Sequence, residues 1–298
     1  MLIFHDPRCA DYGSPLRPEQ PARVTESVVH LRSAHPGWGW RVPANAIADR
    51  VLLLAHTRSH LNRLDEPRDF DGDTPFFPDI ALHARRSVAA ALAAAEHAVN
   101  QPSPAFSLMR PPGHHATADQ AMGFCYLNPI AIAALAARAH LKLARVAVWD
   151  FDAHHGNGTE AILAGHLASG GSGLFFASVH QYPGYPGTGT KDLGPNLRNW
   201  PIPPDTSRVR HMDALRDSFE SVLEFQPDLI LVSAGFDAYA RDPITSMTLE
   251  QEDFAELGTW LRERRRPAAA LLEGGYSPDL PLLIDAFLSA WENDANPP

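Results

Sequence analysis

Asp150, Asp152, His154 and His155 follow directly on the apolar run Ala144-Arg145-Val146-Ala147-Val148, which reads as a short buried strand. Side chains two apart on extended backbone share a face, so Asp150, Asp152 and His154 point to one side. Carboxylates and imidazoles gathered at a buried strand end must be neutralised. Two arrangements do this: a bound cation, or an Asp/His hydrogen-bonded network that closes the strand. A second chemically suggestive group is His114-His115, which Pro111-Pro112-Gly113 holds outside regular structure. Asp237 and Tyr276 each lie just beyond another apolar run. Cys9 and Cys125 are too few for a thiolate zinc site or a disulfide framework, so a metal here would take nitrogen and oxygen ligands.

Strands and helices must bring these residues together. A chain of 298 residues, 45% of them hydrophobic, can build one α/β domain spanning residues 1–298, and no linker-like change of composition divides it. No repeat is present, and the low-complexity tract is an Ala-rich segment at 81–98. The net charge of −10 supplies no basic field for a phosphate backbone, which argues against a nucleic-acid partner and tolerates cationic substrates. The first residues lack a basic region followed by a long apolar core, and no apolar run approaches membrane-spanning length. A soluble cytoplasmic protein is the expectation.

Strands are expected at residues 2–5, 105–110, 144–148, 174–180, 228–234 and 268–272, and helices at 23–33, 79–99, 129–141, 208–225, 249–265 and 280–291. The run at 51–55 fits either element, Thr57 or Ser59 can cap a helix through Leu64, and Asn100 and Pro102 end the Ala-rich helix. Residues 65–78, with Asp71 and Asp73 flanking Gly72, read as an acidic surface loop. Alternating helices and strands predict a mostly parallel sheet covered by helices on both faces, with ligands outside the carboxyl ends of the strands. His114 and His115, the segment 150–155, Asp237 and Tyr276 all follow strands, so four separate segments would converge on one rim.

These residues carry a resemblance. Pro111-Pro112-Gly113-His114-His115, Gly123-Phe124-Cys125, Asp150-Phe151-Asp152-Ala153-His154-His155-Gly156-Asn157-Gly158-Thr159, Tyr185-Pro186-Gly187-Thr188-Gly189, Ser233-Ala234-Gly235-Phe236-Asp237 and Gly274-Gly275-Tyr276 resemble, in order, the zinc-dependent histone deacetylase family and its bacterial relatives. The Gly156-Asn157-Gly158-Thr159 and Tyr185-to-Gly189 forms are similar to the class II branch, which includes bacterial amidohydrolases and acetylpolyamine deacetylases. The resemblance implies a single-domain, three-layer arginase/deacetylase-like fold and one catalytic zinc held by Asp152, His154 and Asp237. It also implies His115 as general base and acid, and His114 as its electrostatic partner. Asp150 would orient His114, Asn157 would orient His115, and the Tyr276 hydroxyl would bind the developing oxyanion. A carboxylate raises an imidazole's proton affinity more than an amide does, so the two histidines should differ in protonation. Gly123, Phe124 and Tyr185 would line a narrow acyl-lysine tunnel, with Asp73 at its rim. A structural potassium would take oxygen ligands from Asp150, Asp152, His154, Ser178 and Val179.

Three other readings bear on the same residues. An arginase-like dimetal hydrolase shares the architecture, but His155 stands where a second-metal aspartate is expected and no Asp follows Asp237 by two. A non-catalytic binding module on this fold would be expected to lose a ligand or the tyrosine. Acetylpolyamine deacetylases use the same chemistry, and their polyamine-selective members carry an acidic gatekeeper where Arg241-Asp242-Pro243-Ile244 presents Ile244. The expected reaction is removal of acetyl or another short acyl group from lysine side chains or similar amines.

Overall fold

The computed structural model describes residues 1–43, 47–101 and 103–292, so Pro102, expected to end the Ala-rich helix, lies outside the described residues. The strands are β1 (Leu2–Phe4), β2 (Gly39–Arg41), β3 (Ala105–Ser107), β4 (Val146–Asp150), β5 (Leu174–Gln181), β6 (Leu197–Ile202), β7 (Leu229–Ala234) and β8 (Ala268–Leu272). They form one eight-stranded sheet in the order β2-β1-β3-β8-β7-β4-β5-β6. Every pairing in it is parallel, so all the strand carboxyl ends reach one rim. The central strands β4, β7 and β8 are buried along their whole length, which is why they read as unbroken apolar runs rather than as an alternation.

The helices are α1 (Ala22–Ala34), α2 (Asp49–Leu52), α3 (Arg58–Arg63), α4 (Ile80–Asn100), α5 (Pro129–Ala139), α6 (Asn157–Ala168), α7 (Arg208–Glu224), α8 (Gln251–Arg264) and α9 (Leu280–Glu292). α4, α5 and α6 pack into one layer, and α1, α7, α8 and α9 into the other. The small side chains of α4 let it lie close over β3 and β8. On the other face the Trp149 ring meets Phe219 of α7, and its indole N–H donates to Ser218. No described helix is long and apolar enough to cross a membrane.

Local signals place several boundaries. Thr57, rather than Ser59, caps α3 by accepting from the His60 N–H, and Asn128 caps α5 just ahead of Pro129. The run at 51–55 is helical only to Leu52. β3 stops at Ser107 instead of Arg110, where the next carbonyl, that of Leu108, turns to the His5 ring. Two strands and one helix carried no clear sequence signal. β2 and β6 are edge strands with exposed or polar residues, and α6 begins inside the glycine-flanked Asn157 segment that resembles a turn.

Candidate active site

The rim after β4, β7 and β8 gathers the expected donors. Asp152, His154 and Asp237 each offer one atom to a cluster within 4.8 Å, and Asp152 and Asp237 are fully buried. The His154 Nδ1 lies 2.8 Å from Asp237 Oδ2 and 3.2 Å from Asp152 Oδ1. Burial by itself would lower this imidazole, but the two carboxylates hold it well above its ordinary value. Two carboxylates and one imidazole fit a divalent ion such as zinc, which takes nitrogen and oxygen donors. The backbone is shaped around them: a Cβ at Gly274 would stand 2.2 Å from the Asp237 carboxylate, and the Gly274 N–H donates to Asp152 across 2.7 Å.

Beside this cluster the two histidines of the 111–115 turn lie with ring centroids 4.1 Å apart. The His114 Nδ1 donates to Asp150 across 3.0 Å, and the His115 Nδ1 to the Asn157 Oδ1 across 2.7 Å. Burial opposes charge on both rings. At His114 the Asp152 and Asp150 carboxylates overcome it and raise the imidazole to about 10. At His115 nothing of that strength does, and the charges on His114 and His154 push it further down. The carboxylate partner favours charge on His114, and the amide partner of His115 does not. With its Nδ1 proton committed to Asn157, His115 keeps a lone pair on Nε2.

Aromatic rings enclose the two groups. Tyr185 packs edge-on to His115 at 5.1 Å between centroids, and Phe124 edge-on to Tyr276 at 5.7 Å. Gly123, at φ +56°, leaves room that a side chain would take from His115 and Tyr185. Burial raises the Tyr185 phenol, and the charges of Asp71 and Asp73 add to it, so the acidic loop borders this wall. Asp73 itself is exposed and donates its backbone N–H to Asp71. Ile244, 37% exposed, stands beyond Asp237 on the loop after β7. Of the positions expected around potassium, Asp150 lies opposite Ser178 in the β4–β5 ladder, with Val179 next in the chain. The Ser178 hydroxyl is within 2.9 Å of His180 Nδ1.

Sequence reasoning missed several supports. Thr74, read as part of a solvated loop, is buried and accepts from the Phe124 N–H. Glu273 accepts from the N–H groups of both Gly113 and His114. Arg23 donates to the Gly275 and Glu273 carbonyls and lies over the Tyr276 ring. Asp242 accepts from the Tyr276 N–H. Each joins segments far apart in the chain, and no local spacing marks such a partner.

A parallel α/β sheet with these groups at its carboxyl rim defines a hydrolase of the deacetylase and amidohydrolase kind. The chain belongs to the histone deacetylase domain family, which matches residues 17–290. It is 36% identical to a probable deacetylase of Methanothermobacter thermautotrophicus, over 94% of this chain and 86% of that one. It is also 36% identical to a histone deacetylase-like amidohydrolase of Pseudomonas aeruginosa, over 84% of this chain and 67% of that one. The crystal structure of an acetylpolyamine aminohydrolase from Burkholderia pseudomallei superposes with a TM-score of 0.84 at 28% identity, covering 98% of both chains.

Proposed function

We propose that this protein is a zinc-dependent deacylase that removes acetyl or another short acyl group from lysine side chains. The observation that carries the reading is a convergent Asp152, His154 and Asp237 donor set beside two histidines, one paired with a carboxylate and one with an amide. Zinc at that set would polarise the amide carbonyl and acidify the attacking water. His115 takes the water proton on its free Nε2 and passes it to the leaving amine, because Asn157 keeps Nδ1 protonated throughout. His114, held cationic by Asp150 and Asp152, offsets negative charge as it develops. Tyr276 donates its hydroxyl to the oxyanion, while Phe124 and Tyr185 shield an aliphatic stem from water. A structural potassium on oxygens of Asp150, Asp152, His154, Ser178 and Val179 belongs to the same reading, supported by the pairing of Asp150 with Ser178.

The likeness to a polyamine-acting relative favours a second reading, acetylpolyamine deacetylation by the same residues. The aliphatic Ile244 at the rim supports the acyl-lysine substrate instead, since a polycation gains nothing from it. The deciding experiment compares turnover of acetyl-lysine peptides, longer acyl-lysine peptides and acetylated polyamines by the zinc-loaded protein. The acyl-lysine peptides are expected to be preferred. Preference for the polyamine would replace the substrate assignment, and no hydrolysis of any amide by protein holding one zinc would overturn the reading altogether.

A further inference from the structure

Tyr276 follows two glycines, and Gly275 adopts φ +114°, so the chain entering the tyrosine has little stiffness of its own. Its ring meets Arg23 and Phe124, which press on the faces and edge but do not fix the backbone that carries it. Asp242, on the neighbouring loop after β7, supplies that restraint. It is only 7% exposed. One oxygen accepts from the Tyr276 N–H at 2.7 Å and the other from the Ile244 N–H at 3.1 Å. Its own N–H donates to the Tyr239 carbonyl across 2.9 Å, which anchors the carboxylate to its loop. Around this clamp Arg241 of the same loop reaches Asp279 of the Tyr276 loop across 3.6 Å, and Tyr239 donates to Asp279 across 2.9 Å. A buried carboxylate is costly to desolvate and is maintained here by two backbone donors.

We propose that Asp242 is a positioning residue that fixes the reach of the Tyr276 hydroxyl and ties it to the substrate lip at Ile244. The inference rests on the reading of Tyr276 as oxyanion donor. None of these bonds goes to the candidate metal ligands or the histidine pair, but Asp242 lies near enough to feel the Asp237 charge, so a contribution through Tyr276 has to be separated from a direct effect on the ligands. Asparagine at this position can accept from one N–H but presents an amide N–H to the other, which loses its acceptor.

The test is a double-mutant cycle on the zinc-loaded protein with the faster of an acetyl-lysine peptide and acetylspermidine as substrate. Asp242→Asn should lower kcat roughly ten-fold, the size expected for one lost buried hydrogen bond, with KM within about two-fold and zinc still at one per chain. In a Tyr276→Phe background the same substitution should cost less than about two-fold, because the hydroxyl it positions is gone. Equal losses in the two backgrounds, or a change confined to KM, would overturn the proposal while leaving the tyrosine's role intact. Near-normal kcat for Tyr276→Phe alone would remove the hydroxyl's role and the proposal with it. Should Asp242→Asn fail to fold, Asp242→Glu keeps both acceptors one methylene further out. It should lower kcat several-fold with the same dependence on Tyr276, and additivity there overturns the proposal equally.

Discussion

Two clusters of buried charge lie under the same strand ends, and they are built on opposite plans. In the first, Glu19 sits between two guanidiniums, with Arg110 Nη2 at 2.8 Å and Arg23 Nη1 at 3.3 Å. The donors left over are taken up by carbonyls: Arg110 by Cys9 at 2.9 Å, and Arg23 by Gly275 at 2.7 Å. In the second, Asp150, Asp152 and Asp237 face His114 and His154, and three carboxylates exceed the charge that two imidazoles can supply. A guanidinium keeps its proton at any relevant pH, so the first cluster is closed. An imidazole can release its proton and coordinate a metal, so the second is open. Charge that is settled by arginine supports a site; charge that is left to histidine is the site.

The largest effect should come from opening the second cluster further. Asp237→Ala removes one of three mutually repelling carboxylates, so the protein should stay folded. It also removes a third of the proposed ligand set, so stoichiometric zinc should be lost and turnover should fall by at least roughly 10³-fold. Elemental analysis that finds one firmly held zinc in this variant would sink the ligand assignment.

The same operation on the first cluster should do the reverse. Arg110→Ala leaves Glu19 buried with its two longer contacts, to Arg23 and the Tyr12 hydroxyl, each at 3.3 Å, and breaking a buried pair in this way costs about 3–5 kcal/mol. Denaturant titration should show that loss, while zinc content in the folded fraction stays normal. Acid separates the two proteins as well. Burial works to raise the Glu19 carboxyl, yet Arg110 and Arg23 hold it below the ordinary glutamate value. The stability this gives the wild type is fully present above the unfolded value of about 4.3 and is lost as pH falls through the lower folded value. The variant has less of it to lose, so the stability gap should narrow as pH falls below about 4.3. A gap that stays constant would mean that Glu19 and Arg110 are not energetically coupled.

The contrast also explains which parts of the molecule could be read from the chain. Asp150 ends β4, and Asp152, His154, His114, His115, Asp237 and Tyr276 lie on the segments that leave β4, β3, β7 and β8, and a parallel sheet delivers all such positions to one rim. Arg110 reaches Glu19 across 91 residues and Arg23 reaches the Gly275 carbonyl across 252, by bonds that no spacing announces. β2 and β6 escaped for a related reason. Edge strands need bury only one side, and Arg198, Asn199 and Pro201 erase the alternation in β6. The helix that starts at Asn157 was not expected, and Gly158 within it is small because the chain at Ala116 passes within reach of its Cβ position, 2.3 Å from the Ala116 carbonyl oxygen.

The smallest predicted effect carries the rule to the mouth of the site. Arg241, the cation nearest in sequence to Ile244, is already engaged by Glu250 at 3.2 Å and Asp279 at 3.6 Å. A carboxylate introduced at 244 would therefore remain open, as the second cluster is, and would be free to pair with a substrate amine. Ile244→Glu should shift the ratio of kcat/KM values from acetyl-lysine peptide toward acetylspermidine by roughly ten-fold, since about 1.4 kcal/mol corresponds to that factor and a partner for a half-buried ammonium is worth about 1–3 kcal/mol. The shift should shrink as salt rises, because the new pair lies at the surface where Ile244 is 37% exposed. Equal loss of both activities would show that position 244 does not select the substrate, and Asp71 and Asp73, which border Tyr185, would then be the residues to change.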